Sequence, residues 1–166
     1  MKRVLPRGYS TMNRPITSSR KCGGTRTITF ENEGATLSVT LYLPADYDGA
    51  KLPTVVVTGA WTSVEEQMPR EYAEEMVERG FAAFTFDFRG WGKSGDLPQN
   101  VRFKEDPAAK TSDLRAAFET VATLPEVDPA NIHGLGICAS AGYMVDAASG
   151  NPLVKSVGLV APWLQN

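Results

Sequence analysis

The chain has only two cysteines and one histidine among its 166 residues. Cys22 and Cys138 are too few for a disulfide framework, no apolar signal segment precedes them, and they do not form a CxxC pair. No apolar run approaches the roughly 18 to 20 residues that span a bilayer. We therefore predict a cytoplasmic protein with no membrane partner, no metal site and no cofactor.

Acidic residues are absent from the first 30 positions, which carry seven lysines and arginines. Residues 31–166 hold ten basic and nineteen acidic side chains, and such an acidic body repels nucleic acid. We predict no nucleic-acid partner. We interpret residues 1–26 as a basic, disordered leader and 27–166 as the folded domain.

The apolar residues of this domain follow an alternation of strand and helix patterns. Strands are predicted at Thr25–Phe30, Leu37–Leu43, 54–58, 81–88, 131–137 and 154–160. Helices are predicted from Pro69 to a stop at Gly80, over Ser112–Leu124 and over about 140–149. This order predicts an α/β fold with a mostly parallel sheet and right-handed crossovers.

The segment "HGLGICASAGY" (133–143) predicts a strand that turns sharply into a helix. A nucleophile at such a turn needs small residues two positions before and two positions after it. Two registers meet this requirement, one centred on Cys138 and the other on Ser140. We favour Cys138, because glycine stands on its strand side and a helix N-terminus stabilises a thiolate. A buried, inert cysteine is the alternative reading.

Hydrolysis of an acyl bond also needs two N–H donors for the developing oxyanion. One candidate is the backbone amide of Ala139, directly after Cys138. The other is the amide of Ala60, in the loop "TGAWTS" that follows strand 54–58. A tight turn that simply requires Gly59 would explain this loop equally well.

Three segments at strand ends, "TGAWTSVEEQ", "FDFRGWGKSG" and "GICASAGY", together resemble the α/β-hydrolase fold superfamily. The most similar branch is that of the dienelactone-hydrolase-like and peptidase-type hydrolases. The resemblance covers roughly residues 27–166 and implies a three-layer sandwich that lacks its last strands. It also implies cleavage of an ester, lactone, thioester or similar acyl bond. The nucleophile position then falls on Cys138, and the oxyanion positions fall on Ala60 and Ala139.

The sequence departs from this family pattern in two respects. The histidine often found before the oxyanion glycine is Thr58 here, and the family's catalytic acid and histidine usually follow two further strands. His133 cannot replace that histidine, because five strand residues place it about 16 Å from Cys138. We interpret it as a packing or strand-start residue. We therefore expect the chain to be the N-terminal half of such a domain and incomplete as a catalyst on its own.

All three tryptophans follow strand ends, which suggests an apolar pocket formed by Trp61, Trp91 and Trp163. They could instead pack beneath a segment that covers them. The Asp87/Arg89 pair is interpreted as structural, fixing the loop after strand 81–88.

Two functions of different classes remain open. The first is hydrolysis of a small acyl substrate by Cys138, with the histidine and acid supplied from elsewhere. Strand 154–160 would then be covered by a second chain, by a C-terminal half or by a second copy of the protein. The second function is that of a non-catalytic α/β module that binds a ligand or a partner through the same exposed edge.

Overall fold

The computed structural model describes residues 22–96 and 102–163. The strands are Cys22–Asn32 (β1), Ala35–Pro44 (β2), Leu52–Thr58 (β3), Ala82–Phe86 (β4), Val127–Ile137 (β5) and Val154–Val160 (β6). The helices are Met68–Glu78 (α1), Pro107–Ala122 (α2) and Ser140–Ala148 (α3). None of the helices in these two ranges is long and apolar enough to cross a membrane.

The strands form one sheet in the order β1-β2-β4-β3-β5-β6. β1 and β2 pair antiparallel, as do β2 and β4, whereas β4, β3, β5 and β6 run parallel to one another. The fold is therefore a mixed, mostly parallel α/β sheet, as the alternation of patterns predicts. The carboxyl ends of β3, β4 and β5 meet at one edge, where ligands bind in sheets of this kind.

Helices cover the sheet on both faces, because successive strand residues point in opposite directions. Val55 and Val57 face a core built with α1, whereas Val56 faces a larger core built with α2 and α3. Both sides of β3 and β4 are buried, which explains why their sequences are apolar without alternation. The result is the three-layer arrangement predicted from the resemblance.

Helix ends follow local capping signals. α1 begins at Met68, one residue before the predicted start at Pro69, and Gly80 follows the helix with a φ of 89°. α2 begins at Pro107, five residues before the predicted Ser112, because the Asp106 side chain accepts a hydrogen bond from the Ala109 amide. Asp followed by Pro is a readable helix start, so the predicted boundary at Ser112 was wrong.

The first strand also begins earlier than predicted, at Cys22 instead of Thr25. Residues 22–26 of the predicted leader therefore lie in the sheet, and the remainder of that leader lies outside the described residues. Pairing with the long strand β2 overrides the weak strand preference of Gly23 and Gly24, with a register shift between Cys22 and Gly24.

Asp87 and Arg89 each fix the loop after β4, but through separate partners. The Asp87 carboxylate accepts hydrogen bonds from the backbone amides of Glu65, at 2.7 Å, and Lys93, at 2.8 Å. Arg89 is buried and forms ion pairs with Asp113 of α2, at 2.6 Å, and with Glu33, at 2.7 Å. The loop is thus tied to the β1–β2 turn and to α2 at once.

Glu65 is a buried carboxyl group, only 1% exposed. Its Oε2 accepts a hydrogen bond from Thr85, and its Oε1 has no partner among the described residues. Burial, and then the negative charge of Asp87, raise the pKa of Glu65 above its ordinary value, while Lys93 opposes the shift. The folded state therefore binds this proton more tightly than the unfolded state does.

We expect the free energy of unfolding to fall as the pH rises from the ordinary glutamate pKa through the raised pKa of Glu65. Glu65→Gln keeps the shape and loses the ionisation, so the variant should be more stable than wild type at about pH 8 and lose that advantage near pH 4. Urea unfolding across this range measures the difference. Glu119→Gln, a change on the exposed face of α2, is the matched control and should follow wild type. A Glu65→Gln variant that followed wild type at every pH would contradict the assignment.

Candidate active site

Cys138 lies at a sharp turn between β5 and α3. Its φ is 58°, in the left-handed region that residues other than glycine rarely adopt. β5 ends one residue before it and α3 begins two residues after it. A strained residue at a strand-to-helix turn is the geometry of a nucleophile elbow. The thiol is free and half-buried.

The glycine two positions before Cys138 allows this turn to form. A Cβ atom on Gly136 would lie 2.8 Å from Ala141 Cα and 2.8 Å from Ser140 O. Real Cβ atoms do not approach backbone atoms so closely. The first turn of α3 therefore packs directly on the end of β5, which explains the small-residue spacing in the sequence.

Ser140, the other candidate nucleophile, occupies a different environment. It is 1% exposed and lies in the first turn of α3. Its hydroxyl accepts a hydrogen bond from Ile137 N and donates one to Ile137 O, both at 3.1 Å. These contacts describe a side chain that fastens the turn, and the turn geometry fits the register centred on Cys138.

The neighbouring edge strand holds the turn in place. Cys138 N donates a hydrogen bond to Val160 O at 2.9 Å, and Trp163 N donates one to Cys138 O at 3.1 Å. The backbone of Cys138 is thus bonded on both sides to the end of β6 and the residues after it.

The loop after β3 lies beside this turn, because Thr58 pairs with Gly136 across the sheet. Ala60 O accepts hydrogen bonds from Ser63 N, at 3.2 Å, and from Ser63 Oγ, at 2.8 Å. A Cβ atom on Gly59 would lie 2.3 Å from Ser63 Oγ, so the loop closes tightly around that glycine. The structure brings the segments carrying Ala60 and Ala139 to adjacent strand ends.

A cavity of about 270 Å³ opens at the same edge of the sheet. Its lining residues are Trp61, Glu105, Pro107, Ala139, Gly142, Tyr143, Asp146 and Trp163. The Trp61 and Trp163 rings lie 4.9 Å apart, and both remain more than 40% exposed. Two of the three tryptophans predicted to form a pocket therefore meet in it.

Trp91, the third, lies elsewhere. Its side chain is 6% exposed within the core, and its indole N–H donates a hydrogen bond to Lys104 O at 3.2 Å. It packs edge-on against Phe103, with ring centroids 5.6 Å apart. Trp91 is absent from the lining of the described cavity, because the loop after β4 turns inward at this point.

His133 lies within β5, six residues after the strand begins at Val127, which leaves the packing alternative of the two that were predicted. Its Nδ1 is 2.9 Å from Ser156 Oγ on β6, and its ring packs edge-on against Phe81. Burial lowers the pKa of the imidazole. These contacts fit a packing role, and the side chain is occupied between neighbouring strands.

A polar cluster in the cavity wall was not predicted from the sequence. Glu105 Oε1 accepts hydrogen bonds from Lys110 Nζ, at 2.8 Å, and from Tyr143 Oη, at 3.0 Å. The available signal was Lys110 itself, a charged residue four positions before Leu114 on the buried face of α2. A lysine there indicates a buried partner, because an unpaired charge in a core is costly.

The family model for the dienelactone hydrolase family matches residues 37–161. The chain is 39% identical over 133 residues to an uncharacterized protein of Pseudomonas aeruginosa, covering 80% of this chain and 35% of that protein. It is 36% identical over 117 residues to a thiohydrolase of Eupenicillium brefeldianum, covering 70% of this chain and 36% of that one. A crystal structure of a hypothetical protein from Pseudomonas aeruginosa matches with a TM-score of 0.78 and 34% identity, covering 98% of this chain and 49% of that one.

These relatives are much longer than the matched region. The chain spans 35% of the Pseudomonas aeruginosa protein and 42% of a similar protein from Escherichia coli. What the longer proteins do is therefore only a basis for proposals about this chain.

Proposed function

Because the chain belongs to the dienelactone hydrolase family, we propose that it hydrolyses an acyl bond with Cys138 as the nucleophile. The observation that carries this proposal is the left-handed φ of Cys138 at the strand-to-helix turn, beside a cavity that Ala139 lines. Such strain persists only where the surrounding structure enforces it, and it occurs preferentially at functional sites.

In the proposed reaction, the Cys138 thiolate attacks the carbonyl carbon of the substrate. The backbone amides of Ala60 and Ala139 donate hydrogen bonds to the carbonyl oxygen as it becomes negative. The tetrahedral intermediate expels an alcohol or a thiol, which takes a proton from the protonated general base. Water then gives up a proton to that base and attacks the acyl-thioester, releasing the acid and restoring the thiolate.

The general base must come from outside this chain, because its one histidine contacts Ser156 on β6. We propose that a segment carrying the histidine and the acid covers β6. Val157 and Leu159 of β6 are each more than a third exposed, which supports an apolar covering partner. A C-terminal half or a second chain would supply both residues, whereas a second copy of the protein would cover β6 without supplying a free histidine.

The substrate is proposed to be a small ester, lactone or thioester. One relative is named a thiohydrolase, which supports a thioester among these three bonds. We propose that the reaction takes place in the cytoplasm, since both cysteines of the described part are free thiols.

The decisive experiment is to trap the acyl-enzyme. A slowly hydrolysed aryl ester is incubated with a form of the protein that includes the histidine-bearing segment, and the acylated peptide is identified by mass spectrometry. We expect the acyl group on Cys138. Labelling of Ser140 would overturn the assignment of the nucleophile, and turnover without either label would overturn covalent catalysis.

A non-catalytic binding module is the second candidate, and the exposed apolar residues of β6 favour it. It predicts partner binding through β6 and no acylation of Cys138 even when the covering segment is present. The same mass-spectrometric experiment separates the two functions.

A further inference from the structure

Glu105, Lys110 and Tyr143 form a closed polar cluster behind the cavity. Both oxygens of Glu105 accept hydrogen bonds from Lys110 Nζ at 2.8 Å, and Oε1 also accepts one from Tyr143 Oη. The Lys110 side chain is 4% exposed and the Glu105 side chain 13% exposed. The cluster is therefore almost fully removed from water, and only Glu105 and Tyr143 reach the cavity lining.

Three aromatic rings enclose the Lys110 ammonium group. It lies 4.8 Å from the ring centroids of Phe88 and Trp91 and 6.0 Å from that of Tyr143. Aromatic faces attract a cation, and they also exclude water from it. Lys110 is thus committed to Glu105 and is not available to a ligand in the cavity.

The hydrogen bonds within the cluster leave some acceptor positions of Glu105 and Tyr143 unoccupied. An ionised carboxylate accepts about four hydrogen bonds. Glu105 receives three in the described structure, two at Oε1 and one at Oε2. The Tyr143 hydroxyl uses its proton toward Glu105, so its own oxygen can only accept. Glu105 and Tyr143 therefore offer hydrogen-bond acceptors to a ligand and no donor.

The charges that line the cavity also favour a ligand that donates hydrogen bonds. The lining includes the carboxylates of Glu105 and Asp146, and no lysine or arginine of the described residues lines it. Lys110 neutralises Glu105, so one negative charge is left over. An anionic ligand would meet repulsion here, whereas a neutral or cationic hydrogen-bond donor would be accepted.

The apolar part of the lining sets the shape of the ligand. The Trp61 and Trp163 rings, tilted by 33° relative to each other, present flat apolar surface. Cavities of about 150 Å³ hold a benzene molecule, so about 270 Å³ suits a single ring with one substituent.

We propose that this cavity selects a substrate whose flat, single-ring group carries a hydroxyl or amino donor, which Glu105 and Tyr143 bind, and that it disfavours substrates with a carboxylate at that position. This inference rests on the proposed function only in treating the bound molecule as a substrate. Glu105 and Tyr143 are then specificity-determining residues, and Lys110 is a positioning residue that holds Glu105.

Binding of three unreactive amides tests the proposal without requiring turnover. The probes are phenylacetamide, 4-hydroxyphenylacetamide and 4-carboxyphenylacetamide, and their dissociation constants are measured by isothermal titration calorimetry. We expect the hydroxyl probe to bind about tenfold more tightly than phenylacetamide, because its donor meets a charged acceptor. We expect the carboxyl probe to bind more weakly than phenylacetamide.

Glu105→Gln should reduce the hydroxyl preference to about threefold or less and improve binding of the carboxyl probe, since it removes one negative charge. Tyr143→Phe keeps the Lys110–Glu105 ion pair and should lose part of the preference. Where Glu105→Gln fails to fold because Lys110 is left unpaired, Glu105→Leu/Lys110→Met removes the pair together. Glu119→Gln is the charge-matched control and should bind all three probes as wild type does.

A wild-type preference below twofold, or a preference unchanged in the Glu105 variants, would overturn the inference. Acylation of Cys138 without any hydroxyl preference would leave the proposed function standing and remove this inference alone. A hydroxyl preference without acylation of Cys138 would keep this inference and overturn the proposed function. The cavity would then be a selective binding site in a protein that does not cleave acyl bonds.

Discussion

In a form of the protein that includes the histidine-bearing segment, Cys138→Ala is expected to lower kcat/KM for acyl substrates by about a thousandfold or more while leaving the fold intact. Removal of the nucleophile abolishes the reaction through the acyl-enzyme. Only substrate binding and oxyanion stabilisation then remain to accelerate hydrolysis. The side chain is half-buried and small, so its loss leaves little unfilled space. Steady-state kinetics with a thioester substrate measures the change, with circular dichroism as the check on folding.

Ser140→Ala is the matched control for this result. It removes the two hydrogen bonds to Ile137 and should reduce stability, yet kcat/KM should stay within a few-fold of wild type. The reverse pattern, activity lost in Ser140→Ala and kept in Cys138→Ala, would contradict the register in which Cys138 is the nucleophile.

Asp113→Ala is expected to reduce the free energy of unfolding by about 3 kcal/mol, because Arg89 loses its buried partner and keeps only an ion pair with the exposed Glu33. Asp113 is fully buried and accepts hydrogen bonds from Arg89 N at 3.0 Å, Arg89 Nε at 2.9 Å and Arg89 Nη2 at 2.6 Å. Asn32 Nδ2 donates a fourth bond, at 2.8 Å. Chemical denaturation measures the loss.

Two further variants test whether the lost stability comes from the unbalanced buried charge. Glu74→Ala breaks an exposed ion pair with Arg70 and should produce no measurable change. Arg89→Met/Asp113→Leu removes both buried charges and should recover part of the stability, because the one carboxylate that loses its partner, Glu33, is exposed to solvent. An Asp113→Ala protein as stable as wild type would show that the network contributes nothing to the fold.

Much of this fold is readable from the sequence because its signals are local. The apolar run of β3 predicts a strand covered on both faces, and Pro69 and Gly80 mark the two ends of α1. The sharp strand-to-helix turn at Cys138 could be predicted because its steric requirement leaves a spacing of small residues around it. Each of these signals involves residues within a few positions of one another.

The remaining features depend on contacts between distant segments. Glu65 lies in a polar loop that reads as solvated, and only the packing of that loop against β4 buries it. Arg89 bonds to Asp113 and to Glu33, partners 24 and 56 positions away, which local patterns do not reveal. Trp91 follows a strand end as Trp61 does, but its loop folds inward and carries it into the core. Sequence position alone could not separate these two tryptophans.

The hydrogen bonds between Cys138 and the end of β6 join the elbow and the edge strand into one cooperative unit. Cys138 N is bonded to Val160 O and Cys138 O to Trp163 N. Any local unfolding that separates β6 from the sheet must also break these two hydrogen bonds. Amide hydrogen exchange at Cys138 would then occur with the opening free energy of β6, and whatever covers that edge would slow it. The exchange rate of the Cys138 amide would in this way report whether the edge strand is paired with the sheet.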